Sequence, residues 1–247
     1  MKIISLGWGT QSFTLAAMVA LGELEMVDYA IHSDTTHESK LTYEFAIRWQ
    51  GWLKERGVEV ITVKPKRSDP TDNGYGWPDS PFFSAGGGQI KRQCTTQWKI
   101  NPMRRYIRKS SAGRKVEQWI GISLDEFQRM KPSRVKYITN RWPLIEKKMT
   151  RHDCKIWLKK HNLEIPPRSA CIFCPFHSNA EWRETKRLNV DWKQAIKIDK
   201  AIRKVRPPDL FVSNQRKPLE ECDFDSQEDK GQMAFQWQDE CTGYCGN

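Results

Sequence analysis

The chain has 247 residues, is 38% hydrophobic and 29% charged, and carries a net charge of +11. That length suits one large domain or a domain with an appended subdomain, and no apolar run reaches the length of a membrane span, so no membrane partner is expected. Seven cysteines in a chain whose start, "MKIISLG", lacks a signal-peptide pattern point to a cytoplasmic protein that uses thiols for metal or redox chemistry rather than disulfides.

Residues 2–6, "KIISL", read as a buried strand, followed by the glycine loop "GWGTQS" and a helix that stops near Gly22. "VDYAIHS", from Val27, predicts a second strand. "LTYEFAIRWQGWLKERG" predicts an amphipathic helix ending at Gly57, and "VEVITV" a third strand. Strand and helix alternating at this pitch predict an α/β fold, a Rossmann-like parallel sheet with helices on both faces. Residues 64–93 are rich in Pro, Gly and Asp and read as a long loop, a candidate lid. A helix "INPMRRYIRKS", a fourth strand "VEQWIGI" and a helix "RHDCKIWLKKH" follow. The turn-rich "PPRSACIFCPFH" comes next, then helices at 179–188 and 192–205. These readings divide the chain into a nucleotide-binding core at 1–123, a helical cap with a Cys-x-x-Cys knuckle at 124–206, and an acidic cysteine-containing tail at 207–247.

The charge is uneven. Residues 219–247 carry a net −7, so the remaining body carries +18. A basic body suits polyanionic partners, nucleotides or nucleic acid, as well as an ordinary solvated surface.

In "SLGWGTQS" the small residues let the backbone bend close to a ligand while the next helix aims its first amides and dipole at an anion. The loop lacks both the Gly-Lys-Ser/Thr of a Walker loop and the three spaced glycines of a dinucleotide site. It resembles the pyrophosphate loop Ser-Gly-Gly-x-Asp-Ser of the adenine nucleotide alpha-hydrolase superfamily. Gly9 and Ser12 match, while Gly7, Trp8 and Gln11 replace its first Ser, first Gly and Asp. "SDTTHE" is similar to the Asp-Thr-Gly segment of phosphoadenosine phosphosulfate (PAPS) reductases, matched by Asp34, Thr35 and Glu38, with Thr36 in place of Gly. "RQCTTQWKINPMRRYIRK" resembles the Cys-pair and Lys-x-x-Pro segment of adenylyl-sulfate reductases through Cys94, Lys99, Pro102 and Arg105, with Thr95 in place of the second Cys. "WIGISLDEFQRM" matches a further segment at Gly121, Ile122, Asp125 and Arg129, Ser123 replacing an Arg. "RWPLI", a helix and "CIFC" complete a collinear resemblance from Ile3 to Pro175 to the PAPS reductase-like family.

The resemblance implies an adenine nucleotide held by Ser5, Gly7, Gly9, Gln11, Ser12, Thr35 and Glu38. Arg92, Lys99 and Arg105 would clamp phosphate or sulfate, and Gly121, Asp125 and Arg129 would line the site. Trp8 would stack on a base or cover the loop. His32, His37 and His177 read as ordinary polar or structural residues. Cys171 and Cys174 can reach one metal. By resemblance Cys94 joins them around an iron–sulfur cluster, a 4Fe–4S centre, whose fourth ligand would come from Cys154, Cys241 or Cys245. In the tail "DECTGYCGN", Glu240 and Cys241 resemble the end of sulfonucleotide reductases, where the Cys attacks the substrate sulfur. The competing reading joins Cys171, Cys174, Cys241 and Cys245 in a zinc or cluster site. Cys154 and Cys222 read as bystanders.

Three functions fit these residues. The first is reduction of a sulfonucleotide, with Cys241 as nucleophile, Asp34 in the catalytic loop and a thioredoxin-like protein as reductant. The second is ATP-dependent adenylation and sulfur transfer to a nucleic acid or small molecule. That reading needs a Mg²⁺ ligand, and Gln11 stands where the loop's Asp would be. The third is a nucleotide- or nucleic-acid-binding module without chemistry.

Overall fold

The structure, a computed structural model, describes residues 1–225. The chain forms two compact units. The first takes Met1–Lys66 and Thr95–Ala170, and the second takes Arg67–Cys94 and the chain from Cys171.

The first unit is a five-stranded sheet of β1 (Lys2–Ser5), β2 (Tyr29–Ser33), β3 (Val60–Val63), β5 (Val116–Ile120) and β6 (Ile138–Arg141). Its order is β3-β2-β1-β5-β6, and every pairing is parallel. Its helices are α1 (Thr10–Ala20), α2 (Lys40–Glu55), α3 (Asn101–Ser111), the short α4 (Pro143–Glu146) and α5 (Arg151–Lys160).

Adjacent strand residues point to opposite faces, and β1 shows what this does. Ile4 packs with Phe13 of α1, Phe45 and Leu53 of α2 and Leu158 of α5. Ile3 packs on the other side with Ile31, Ile107 of α3, Val116 and Ile138. A sheet covered on both faces reads as near-continuous apolar runs, which is why β1 and β2 were legible. The helix ends are chemically marked. Ser39 accepts from the Leu41 amide at 3.3 Å. Thr150 and Asp153 form a reciprocal capping box on α5. Gly22, at φ 77°, follows α1 where a side chain would be strained.

The second unit holds β4 (Phe83–Ser84) antiparallel to β7 (Leu210–Phe211), with α6 (Asn179–Arg187) and α7 (Asn189–Arg203). Phe82 lies with its ring centroid 6.0 Å from that of Phe173. The Asp199 carboxylate, 1% exposed, pairs with Arg203 and accepts from the amides of Val212 at 3.2 Å and Leu219 at 3.1 Å.

Two expectations change. The sheet does not end at residue 123: β6, Ile138–Arg141, adds a fifth strand from the region read as a helical cap. Residues 64–93 do not form one loop, because β4 and the buried Asp79, Ser80 and Phe82 make Arg67–Cys94 part of the second unit's packed body.

Candidate functional site

β1 lies between β2 and β5, and the chain order reverses there: β2 and β3 extend one way, β5 and β6 the other. In open α/β sheets the crevice beyond the carboxyl ends of such strands is where ligands bind. The glycine loop leaves β1 at that point. Gly121, just past β5, is pressed against it: a Cβ there would lie 2.8 Å from both Cα and N of Ser12. Only a residue without a side chain lets the two backbones come this close.

The loop is tied internally. The Gly7 amide donates to Ser12 Oγ at 3.1 Å, and that hydroxyl donates to the Gly9 carbonyl at 3.2 Å. Gly9 is the N-cap of α1 and provides no side-chain cap. The first-turn amides of α1 are therefore left for an anion, reinforced by the helix dipole. Ser5, at the end of β1, donates to Met103 Sδ at 3.7 Å. Trp8 stands where the resembled loop has glycine and still adopts φ 57°. Its indole is 1% exposed and packs against Phe13, His32 and Phe45. It covers the loop from within and is not presented to a base. Gln11 Nε2 reaches Ser123 Oγ at 3.4 Å and Glu126 Oε2 at 3.3 Å. A carboxylate thus stands beside the loop, although position 11 does not supply it.

The loop after β2 repeats this pattern. Thr36, also in place of glycine, has φ 66°, a costly conformation for a β-branched residue. An Asx turn holds it, with the Thr36 amide donating to Asp34 Oδ1 at 2.7 Å. Tyr43 Oη donates to the same oxygen at 2.8 Å, and Lys64 Nζ lies 3.4 Å from Oδ2. Burial pushes the Asp34 carboxyl up, but the Thr36, Tyr43 and Lys64 contacts outweigh it and leave the group below its ordinary value. The same burial and the Asp34 charge push the Tyr43 phenol up. A carboxylate held ionised in this way is suited to accept hydrogen bonds from a ligand and poorly suited to shuttle a proton at neutral pH.

Thr35 is fully buried. Glu38, with a side chain 1% exposed, pairs with Lys99 Nζ at 3.2 Å and accepts from Ser169 Oγ at 3.1 Å. Lys99 sits on a π-helical turn, Thr95–Ile100, pinned to the end of β2 by Ser33 Oγ donating to the Trp98 carbonyl at 2.7 Å. His32 lies under the glycine loop, its Nδ1 donating to the Leu6 carbonyl at 3.0 Å. Burial lowers its pKa, and the charges of Glu38, Lys99 and Asp34 all act on it. Asp34, Glu38 and Lys99 therefore converge beside the loop.

The other expected residues make contacts of their own. Arg105 is exposed on α3. Asp125 accepts from the Arg151 amide at 3.0 Å and so caps α5. Arg129 pairs with Glu126 at 2.8 Å. Arg92 belongs to the second unit, where it lies over the Phe176 ring at 5.3 Å. Tyr43, Lys64, Glu126 and Ser169 are participants that sequence reading missed. Ser169 lies 131 positions from its partner Glu38, and no local pattern marks such a contact.

In the second unit, the Cys174 amide donates to the Cys171 carbonyl at 2.9 Å, and the His177 amide to the Cys174 carbonyl at 3.0 Å. Cys-x-x-Cys thus forms a tight double turn. The Cys94 amide donates to the Asp79 carbonyl at 2.9 Å. Among the described residues no three His, Cys, Asp or Glu side chains gather to hold a metal ion. Cys241 and Cys245 lie outside the described residues. Cys154 is buried, and burial pushes its thiol up to about 12, which marks it as inert packing.

No described protein family matches the sequence, and no curated protein is significantly similar to it. Among solved structures, the fold is similar to PAPS reductase from Candida auris in its phosphate complex, at 13% identity over 67% of this chain and 74% of that one, TM-score 0.47. It is also similar to the U34-tRNA thiolase NcsA from Methanococcus maripaludis with its 4Fe–4S cluster, at 14% identity over 90% of this chain and 73% of that one, TM-score 0.43. At these identities the likeness concerns the fold.

Proposed function

We propose that this chain is a sulfur enzyme that binds an adenine nucleotide at the glycine loop and reduces a sulfonucleotide. The observation that carries the reading is the uncapped loop at the point where the sheet order reverses, closed by Gly121 and flanked by Asp34, Glu38 and Lys99. The positive φ kept at Trp8 and Thr36, both in place of glycine, supports the family resemblance because the backbone path outlasts the residue change.

In this reading the loop amides hold the anionic phosphates, and Lys99, 39% exposed at its side chain, meets the sulfo group. Asp34 accepts hydrogen bonds from the nucleotide. The Cys241 thiolate attacks the sulfur, forming an S–S bond as the S–O bond to the phosphate breaks and the nucleotide leaves with the electron pair. A dithiol of the thioredoxin-like class then supplies two electrons, is oxidised to its disulfide, and releases sulfite with a free Cys241 thiol.

The test is sulfite release from PAPS or adenylyl sulfate with a dithiol reductant, with release abolished in Cys241→Ser. Pyrophosphate release from ATP dependent on an acceptor, with no sulfite from either sulfonucleotide, would replace this reading by the adenylating one. Nucleotide binding with neither product would leave a binding module.

A further inference from the structure

We propose that the α3 face of the sheet unit docks a nucleic-acid duplex along its phosphate backbone. The starting observation is a gap in the charge pattern. Residues 95–116 and 127–145 contain twelve Lys and Arg and no Asp or Glu. The fold places these two stretches side by side: Val135 and Tyr137 of the second pack in the same cluster as Met103, Tyr106 and Ile107 of α3. Val116 and Ile138 join the same cluster, and Arg108, Lys109, Lys131 and Arg134 are exposed. None of these four has a carboxylate partner among the described residues. Unpaired, adjacent cations repel one another, so the folded chain bears a cost that a polyanion would relieve.

The shape favours a nucleic acid. α3 has 11 residues and is about 16 Å long, the run of about five phosphates along one strand of a duplex. α3 connects the turn at the end of β2 to the start of β5, and residues 130–137 connect the end of β5 to the start of β6, so both segments cross from the carboxyl to the amino ends of the strands. Tyr106 and Tyr137 pack in the core cluster and a single aromatic of these stretches, Phe127, is largely exposed, so the face offers charge for a backbone more than a stacking platform for unpaired bases. It also lacks the exposed apolar stripe by which amphipathic helices enter lipid. The inference goes beyond the nucleotide reading and does not rest on it.

The test uses the full chain, a duplex of about 24 base pairs and fluorescence anisotropy across a salt series. The variant Arg108→Ala/Lys109→Ala/Lys131→Ala/Arg134→Ala is compared with Lys40→Ala/Lys54→Ala/Lys159→Ala/Lys160→Ala, which removes equal charge from α2 and α5 on the opposite layer. The wild type is expected to bind with a steep salt dependence. The α3-face variant should lose about three to four units of slope in log K against log salt, at about 0.9 per phosphate contact, and at least about tenfold in affinity. The control variant should lose less than about threefold. Equal losses in both variants overturn the proposal, because binding would then follow net charge alone. It is equally overturned if the wild type fails to bind the duplex at about 50 mM salt, including the case where it binds only phosphatidylserine vesicles.

Discussion

Two glycines at the loop are required for different reasons, and substitution separates them. A Cβ on Gly121 would meet Ser12 backbone at 2.8 Å, whereas one on Gly9 would meet only Ser169 Cβ at 4.0 Å. Gly121→Ala is therefore expected to destabilise the fold by about 1–3 kcal/mol as the strand and helix are forced apart. Gly9→Val should cost only about 1 kcal/mol of stability, as a poorer N-cap, and lower nucleotide affinity at least tenfold, because its side chain occupies the ligand's approach. Urea titration and calorimetric binding on the two variants check this. Unchanged nucleotide affinity in Gly9→Val would refute the loop assignment. His32 adds a pH signature. Burial holds its pKa below the ordinary 6.5, so the folded chain keeps it neutral where the unfolded chain takes up a proton. Stability is then full above about pH 6.5 and falls as pH drops below it. Replacing His32 by Asn, whose amide can still donate toward the Leu6 carbonyl, should flatten that limb in urea titrations at pH 5 and 7.

At the level of elements, legibility followed burial. β1, β2 and β5 are inner strands of a sheet covered on both sides, so their apolar runs stand out. β6 was missed because it is an edge strand reading Ile-Thr-Asn-Arg with only Ile138 fully buried. The π-helical turn carrying Lys99 has no composition cue, yet it decides that Lys99 meets Glu38. β4 and β7 are two residues each and pair across the chain, so periodicity cannot find them. Their unit instead hangs on Asp199. Asp199→Ala strands the Arg203 charge and two buried amides, and about 3 kcal/mol of destabilisation is expected. Hydrogen exchange should show Val212 and Leu219 losing protection first. Unchanged protection there would show that Asp199 is not the organising group.

For the whole molecule, the metal question reduces to which cysteines are needed. No three-donor group gathers among the described residues; if Cys171 and Cys174 are completed by Cys241 and Cys245, Cys94 is dispensable. Anaerobic purification followed by iron, sulfide and zinc analysis should find metal retained in Cys94→Ser and lost in Cys171→Ser. Four irons with sulfide would identify a cluster, and one zinc a structural knuckle. Metal lost with Cys94→Ser would restore the three-cysteine arrangement.

The interleaving of the two units also has a consequence for synthesis. Every segment of the sheet unit has been synthesised once residue 170 is made, but Arg67–Cys94 belongs with the chain from Cys171. Phe83 pairs with Phe211, so β4 emerges long before its partner exists. At about 5–20 residues per second, that interval is roughly 6 to 25 s. By the end of it the sheet unit is complete while the Arg67–Cys94 insert, with its Phe82 and Phe83, still lacks its partner, the stage at which a chaperone would find its binding segment.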